Sequence, residues 1–454
     1  MLPASDRVSL LDDLIREEES QFLERAPKGG VYADLANNYL PGGVTSSWQI
    51  SRPRPIWIEE GRGSRVWDVD GNQYVDYHGG YGAMLAGHAH PAIVRAVSER
   101  VRRGTHFAQP TPDVIPVVQE LSDRYGQPLW RFGNSGTEAT MDAVHLMRAV
   151  TGRDLIIKFE GAYHGHHDAT MVSVWNEDGL GPEQRPKSVA AGGGIPQAMV
   201  DLTLVATFND LELVEDLFDE HPGQIAGVIV EPILQNCGVL IPEEGFIPGL
   251  RDITRRHDAV LTFDEVKTGL TVGKGGATRF FGVQPDIVCL AKSLGGGLPI
   301  SAIGGSREVM GAITDGTYEQ VGTFNGNPLS MAAAKAMLTE VMVPDTYLHL
   351  NKLQTRMRAG AEEVISRHQL TAHVATAGAK GSVIYSKEPM RTYRDFLRID
   401  ERYAHAAWLY QFNRGVFLPP WGKGEQWLIS VQHDEADIDS YLETLDGFAS
   451  AISR

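Results

Sequence analysis

Cysteine is nearly absent. The 454-residue chain holds two, Cys237 and Cys289, at no metal-ligand spacing. That excludes a disulfide framework and a cysteine-built zinc module. Cys289 falls inside an apolar run and reads as a small buried hydrophobe. Positive charge is in deficit as well: 41 Lys and Arg stand against 58 Asp and Glu, a net −17. A surface of that sign repels nucleic acid and anionic membranes, so neither is expected as a partner. No apolar stretch is long enough to span a bilayer. The N-terminus, MLPASDRVSLLDDLIREEESQF, lacks the basic-then-apolar pattern of a signal peptide. A soluble cytoplasmic protein is the default expectation. Internal repeats and low-complexity segments are missing too.

What is present is ordinary for a globular enzyme: 42% hydrophobic and 22% charged residues. The length exceeds one simple core. Residues 7–25 show the apolar spacing of an amphipathic helix, either an arm for a partner subunit or a local cap. Three short strands are predicted at Ile56–Ile58, Ser64–Asp68 and Gln73–Tyr77, with Asp70-Gly71-Asn72 turning the last two. From Pro91 onward helices and strands alternate. Strands are predicted at Leu129–Phe132, Asp154–Phe159 and Ile225–Val230, and before Asp264. Helices are predicted at Thr137–Val150, Leu211–Glu220, Phe246–His257 and Pro328–Met342. That alternation predicts an α/β fold around a mainly parallel sheet. Residues 164–205 look irregular, in the manner of a functional loop or lid. The expected divisions are a helical extension (1–38), the first part of a small domain (39–90), a large domain (91–330) and the rest of the small domain (331–454).

The chain is organised around residues 259–305. The apolar run Val260–Phe263 stops at Asp264, and a second run, Ile287–Ala291, stops at Lys292. A carboxylate and an amine at the ends of buried strands lie where open α/β sheets bind ligands. Pyridoxal phosphate chemistry needs this pair. A lysine holds the cofactor as a Schiff base, and an acidic partner keeps the pyridine nitrogen protonated so that the ring draws electrons. Asn134-Ser-Gly-Thr-Glu138 opens a helix, either as an ordinary N-cap or as a phosphate site built from free N–H groups and hydroxyls. After the next strand, Tyr163 or His164 could stack on a planar ring. The cluster His164, His166, His167 has no helical metal-binding spacing, and no metal is expected. Asn236 ends another strand, and Thr323 offers a second hydroxyl before a helix.

These residues carry a resemblance. NSGTEA (134–139), FEGAYHGH (159–166), VEP (230–232), FDEVKTG (263–269), AKSLGGGLP (291–299) and GTFNGNP (322–328) resemble, in order, the class III aminotransferases. Within that family they are similar above all to the glutamate-1-semialdehyde 2,1-aminomutases. The likeness runs from about Tyr39 to the C-terminus. It implies the pyridoxal phosphate transferase fold known as fold type I, with a smaller α+β domain from both termini. It implies that Lys292 holds the cofactor and then moves the proton, and that Asp264 pairs with the ring nitrogen. Tyr163 would stack on one ring face and Val266 on the other, with His164 alongside. Ser135, Gly136 and Thr137 would hold the phosphate, helped by Thr323 from the other subunit, and Asn236 the phenolic oxygen. A site shared in this way implies a homodimer.

On the substrate side the pattern departs. In the aminomutases Pro-Gly-Gly-Val is followed by a serine and, three residues later, by an arginine that grips the substrate carboxylate. Here Pro41–Val44 leads to Ser46, Trp48 and Gln49. Ser46 matches, but Gln49 stands at the arginine's place and cannot form a charged bidentate clamp. Glu425 falls where the aminomutases have an acidic residue. Trp48, Trp421 and Trp427 suggest either a bulky apolar pocket or core packing. Ser46, Trp48, Gln49 and Glu425 are the expected substrate contacts. The expected reaction is ping-pong transfer of an amino group from an amine or amino acid to a carbonyl acceptor, an amine or aryl-bearing amino compound being the preferred class. The aminomutase reaction is the alternative.

Overall fold

The computed structural model describes residues 4–420, 423–424 and 426–453. It divides into two compact units. One comprises Met1–His90, Leu348–Pro389 and Arg398–Arg454; the other comprises Pro91–Tyr347 and Met390–Leu397. Among the described residues no helix is long and apolar enough to cross a membrane.

The larger unit is built on a seven-stranded sheet: β1 (Leu129–Gly133), β2 (Leu155–Phe159), β3 (Thr203–Ala206), β4 (Ile225–Val230), β5 (Val260–Asp264), β6 (Ile287–Leu290) and β7 (Ser301–Gly305). Their order is β1-β7-β6-β5-β4-β2-β3. All neighbours run parallel except β7, which is antiparallel to both β1 and β6. So β1 and the five parallel strands point the same way, and their carboxyl ends share one edge. β4 and β5 are buried at every position, as continuous apolar runs require when helices cover both faces. Helix Gly136–Thr151 lays Ala139, Ala143, Leu146 and Met147 against Ile229, Cys289 and Ile303. Each large apolar side chain removed from water there contributes about 1.5–3 kcal/mol. The Cys289 thiol is fully buried, 3.5 Å from the Ala139 carbonyl oxygen, which is the hydrophobe's role expected of it.

Gly227 in β4 is required by the close approach of its neighbours. A Cβ there would meet the Val260 carbonyl oxygen at 2.4 Å and Met147 Sδ at 2.6 Å. Gly227→Ala is expected to force β4 and β5 apart and to lower stability by about 3 kcal/mol. Urea unfolding followed by circular dichroism checks this.

The smaller unit pairs Ile58–Arg62, Arg65–Asp68 and Gln73–Asp76 in antiparallel order, and Val416–Phe417 joins Gln73–Asp76 in parallel. The expected hairpin turn is present. Asp68 Oδ1 accepts the N–H groups of Asp70 (3.0 Å) and Asn72 (2.8 Å), and Gly71 takes φ 89°. A second sheet joins His373–Ala377, Lys380–Ile384 and Gln426–Leu428. Helix Ala4–Arg25 seats Phe22 against Trp408 and Phe412, in the core of its own unit. The C-terminal helix Glu435–Ile452 starts with the expected Asp434 cap, reciprocated by Asp437.

Three expectations differ. The first small strand begins at Ile58 rather than ending there. Its exposed Glu59 and Glu60 and the shift in pairing between Ile58 and Glu60 hide the alternation. The helix expected over Pro328–Met342 is α-helical only to Ala336 and continues as a π-helical turn over Met337–Val341. The stretch after His164 is not structureless. Val172 bridges Ala190, Ser173 exchanges bonds with Val189, and β3 closes the stretch.

Candidate active site

The carboxyl ends of β1, β2, β4, β5 and β6 bring most of the expected residues into one unit. Asp264 is the last residue of β5 and is buried. Its Oδ2 lies 2.7 Å from His164 Nδ1, and its Oδ1 accepts the Val266 N–H at 3.0 Å. An ionised carboxylate in that position takes the Nδ1–H form of the imidazole as its donor. His164 is itself 1% exposed. Its carbonyl oxygen accepts the Thr140 hydroxyl. His164 Nε2 is buried without a hydrogen-bond partner among the described residues. His167 turns elsewhere, to the Thr170 and Thr140 hydroxyls, and burial pushes its pKa down to about 3.

Lys292 opens a short 3-10 turn, Lys292–Gly295, one residue past the end of β6. Its strand neighbour across the pair is β5 itself, with Asp264 opposite Cys289. Lys292 has φ 48°, a left-handed backbone that costs a non-glycine residue about 1–2 kcal/mol. Residues held in such conformations concentrate at functional sites. Burial pushes the Lys292 pKa down, and the charges of Asp264 and Glu231 pull it back up. A lysine moved toward its neutral form is the nucleophilic one.

The Asn134–Glu138 turn is both a helix cap and an open N-terminus. Glu138 and Ser135 form a reciprocal capping box: Ser135 Oγ accepts the Glu138 N–H, and Glu138 Oε2 accepts those of Ser135 and Asn134. The first-turn N–H groups of Gly136 and Thr137 lie outside that box, at the positive end of a 16-residue helix. A Cβ on Gly136 would stand 3.0 Å from Val266 Cγ1, so the turn after β5 packs directly under this one. Gly165, at φ 90°, backs onto Thr137, where an added Cβ would be 2.6 Å from the Thr137 Cα. Asn134 Nδ2 donates to Asn325 Oδ1 at 3.0 Å, which brings the 322–327 segment alongside; Thr323 is exposed on it.

Glu231 connects the remaining pieces. Its Oε1 accepts the Tyr163 N–H at 3.0 Å and Asn236 Nδ2 at 2.8 Å, and its Oε2 accepts the Gln235 N–H at 3.1 Å. The Tyr163 ring is stacked on Trp175 with centroids 5.3 Å apart. The sequence reading gave neither Glu231 nor Trp175 a role. Glu231 directly follows the apolar strand Ile225–Val230, and that signal was available; Trp175 lies in a stretch with no periodicity.

Ser46, Trp48 and Gln49 belong to the smaller unit. Ser46 caps the 3-10 turn Ser47–Gln49, accepting the Trp48 N–H at 3.4 Å. Gln49 Oε1 accepts the Thr45 hydroxyl at 2.7 Å and the Thr45 N–H at 3.1 Å. Trp48 sets its ring against that of Tyr81 at 5.2 Å, and the Tyr81 hydroxyl donates to the Trp48 carbonyl oxygen. Tyr81 holds φ 57°. Trp427 is fully buried and donates to Gln354 Oε1 at 3.0 Å, so it is core, not pocket. Glu425 and Trp421 lie outside the described residues.

Residues 48–424 match the family model of the class-III aminotransferases. The chain is 39% identical to the glutamate-1-semialdehyde 2,1-aminomutase of Thermomicrobium roseum, over 93% of this chain and 97% of the other. The chain belongs to the class III aminotransferases. Among solved structures it is similar to an omega-transaminase from Sphaerobacter thermophilus (TM-score 0.89, 32% identity, 93% of this chain and 97% of that one). It is also similar to a glutamate-1-semialdehyde aminomutase from Pseudomonas aeruginosa in complex with PMP (TM-score 0.90, 28% identity, 98% and 99%).

The cofactor of this class III enzyme is pyridoxal phosphate, and the residues fit it. A buried carboxylate lies beside a half-satisfied imidazole, an amine follows the next strand, and Gly136 opens a long helix. Gly165→Ala is expected to push Thr137 out of place and to weaken pyridoxal phosphate binding about tenfold. Titration of tryptophan fluorescence with the cofactor measures it.

Proposed function

We propose that this chain moves amino groups on pyridoxal phosphate, with Lys292 as the residue that holds the cofactor covalently and then moves the proton. Bound pyridoxal phosphate supplies an electron sink for the electrons left when the α-carbon of a substrate amine loses its proton. The observation that carries this reading is the Asp264–His164 pair, 2.7 Å apart and buried one strand away from Lys292. Asp264 holds a negative charge where the cofactor ring nitrogen must stay protonated, and His164 orients that carboxylate. Gly136 and Thr137 offer N–H groups to the phosphate, Ser135 its hydroxyl, and Thr323 another from the second subunit of a homodimer. Tyr163 and Val266 would hold the ring between them, and Asn236 would meet its phenolic oxygen. Lys292 then has one amine for two tasks, attack and proton transfer, which its lowered pKa suits.

Two substrate readings remain, each with its own support. The relatives named as aminomutases favour an intramolecular exchange on an amino aldehyde, more than they favour intermolecular transamination. Position 49 favours transamination of an amine without that carboxylate. Gln49 is neutral, and its carbonyl oxygen is engaged by Thr45. The experiment is an absorbance spectrum of the loaded enzyme with 1-phenylethylamine and no acceptor. Loss of the cofactor's visible-edge band supports transamination. A band that responds only to a diamino acid or an amino aldehyde supports the aminomutase reaction. A protein that binds no cofactor overturns both.

Gln49→Arg is expected to raise kcat/KM for carboxylate-bearing substrates at least about tenfold over their carboxylate-free analogues. Paired steady-state assays check it. An unchanged ratio means that residue 49 does not face the substrate.

A further inference from the structure

Lys267 is a basic side chain at the carboxyl edge of the sheet with no part in the roles above. It lies three residues after Asp264, in the turn that leaves β5. Its Nζ donates to the Gln235 carbonyl oxygen at 2.6 Å, in the turn that leaves β4. The Gln235 N–H is held by Glu231 Oε2, and the next residue, Asn236, is held by Glu231 Oε1. That same oxygen takes the Tyr163 N–H. One ammonium group therefore ties the turn after β5 to the piece of chain that presents Asn236 and meets the backbone of Tyr163.

The side chain is half-buried and sits among other charges. Burial pushes the Lys267 pKa down to about 7; the charge of Lys292 acts in the same direction, and Glu231, Cys237 and Asp264 act against it. Cys237 is buried and its thiol pKa is pushed up, so near neutral pH it is uncharged and its pull falls away. Glu231 and Asp264 are then the anions that keep a proton on Lys267, and Lys292 is the cation that opposes it.

We propose that Lys267 is a positioning residue: by holding the Gln235 carbonyl it fixes the 231–236 turn, and with it Asn236 and the Tyr163 backbone, in the place the cofactor requires. A solvated surface lysine would not spend its donor on a backbone carbonyl at 2.6 Å between two strand ends. A merely structural lysine would be replaceable by any group that fills its volume. The role rests on the cofactor contacts proposed for Asn236 and Tyr163.

The test measures the dissociation constant of pyridoxal phosphate for the full chain by equilibrium dialysis, in the wild type, Lys267→Met and Lys267→Gln, from pH 6 to 9. Met fills similar volume without a donor; Gln keeps an N–H donor without the charge. Lys267→Met is expected to bind the cofactor about tenfold more weakly, and Lys267→Gln to recover most of that loss. The advantage of the wild type over Lys267→Gln should shrink as pH rises through about 7, as Lys267 gives up its proton. Lys292 titrates in both proteins, and its coupling to the Lys267 charge is part of the same ratio. Wild-type affinity in Lys267→Met overturns the role, and so does a Lys267→Gln protein as weak as Lys267→Met. If Lys267→Met does not fold, Lys267→Gln and the pH dependence of the ratio decide alone. A wild type that binds no pyridoxal phosphate overturns the cofactor site itself, a failure distinct from one confined to the variants.

Discussion

Lys292→Ala is expected to leave no turnover above background, a fall of about 10⁴-fold or more, while the chain still folds. The geometry isolates this residue. Lys292 follows β6 at the sheet's carboxyl edge, on a left-handed backbone that evolution rarely places under a lysine without reason. Removing its amine removes the nucleophile and the proton carrier together, and each of those functions is worth several powers of ten. The protein should still take up pyridoxal phosphate, since the Gly136–Thr137 helix start and the Asp264 carboxylate are untouched. It should hold it reversibly, so that dialysis strips it. Mass spectrometry after borohydride reduction should find the cofactor attached to the wild type at Lys292 and to no residue of the variant. Lys292→Arg should be equally inactive, because a guanidinium keeps its charge and does not attack carbonyls. Turnover near the wild-type rate in either variant would sink the assignment. Lys267, another amine at this edge, is committed to the Gln235 carbonyl and should not substitute.

Much of this site was legible because the chemistry sits at strand ends. Val260–Phe263, broken only by the buried Thr262, and Ile287–Leu290 are mainly apolar runs, and such runs end where the sheet meets solvent or ligand. Asp264 and Lys292 stand out as the first polar residues after them. Ile225–Val230 was legible for the same reason, and its end marks Glu231. Helix Gly136–Thr151 announced itself through Ser135, Glu138 and Gly152, its two caps. β7 was not legible. Its sequence, Ser-Ala-Ile-Gly-Gly, has one large apolar residue, and its glycines are there because Trp130 and Met310 occupy the space where side chains would stand. Trp175 was hidden because it packs on Tyr163 from an aperiodic segment whose order comes from the Val172–Ala190 bridge, a contact no local pattern encodes. Trp427 carried no mark that told core from pocket; its buried bond to Gln354 decides it. The substrate is the least legible element. The transaminase reading leans on Gln49, on a short turn, while the relatives' names lean toward the aminomutase.

Asp264→Asn is expected to separate binding from chemistry. Asparagine has nearly the same shape, and its carbonyl oxygen can still accept the Val266 N–H that Asp264 Oδ1 holds at 3.0 Å. The fold and the phosphate contacts should therefore survive, and the affinity for pyridoxal phosphate should fall about threefold to tenfold. Turnover should fall about 10³–10⁴-fold, because the fixed negative charge opposite the ring nitrogen is gone and a neutral amide does not keep a proton there. The His164 contact makes the point sharper. At 2.7 Å from Asp264 Oδ2, His164 Nδ1 now donates to a carboxylate oxygen. If the amide nitrogen takes that place, His164 must move its proton to Nε2, which has no partner among the described residues. His164→Phe tests the two contributions separately. It removes the orienting bond but leaves the charge, so it should cost about 10- to 100-fold in kcat with little change in KM, well short of Asp264→Asn. Equal losses in the two variants would mean that His164 supplies the proton chemistry itself. A mild loss in Asp264→Asn would mean that the ring nitrogen is not what Asp264 faces.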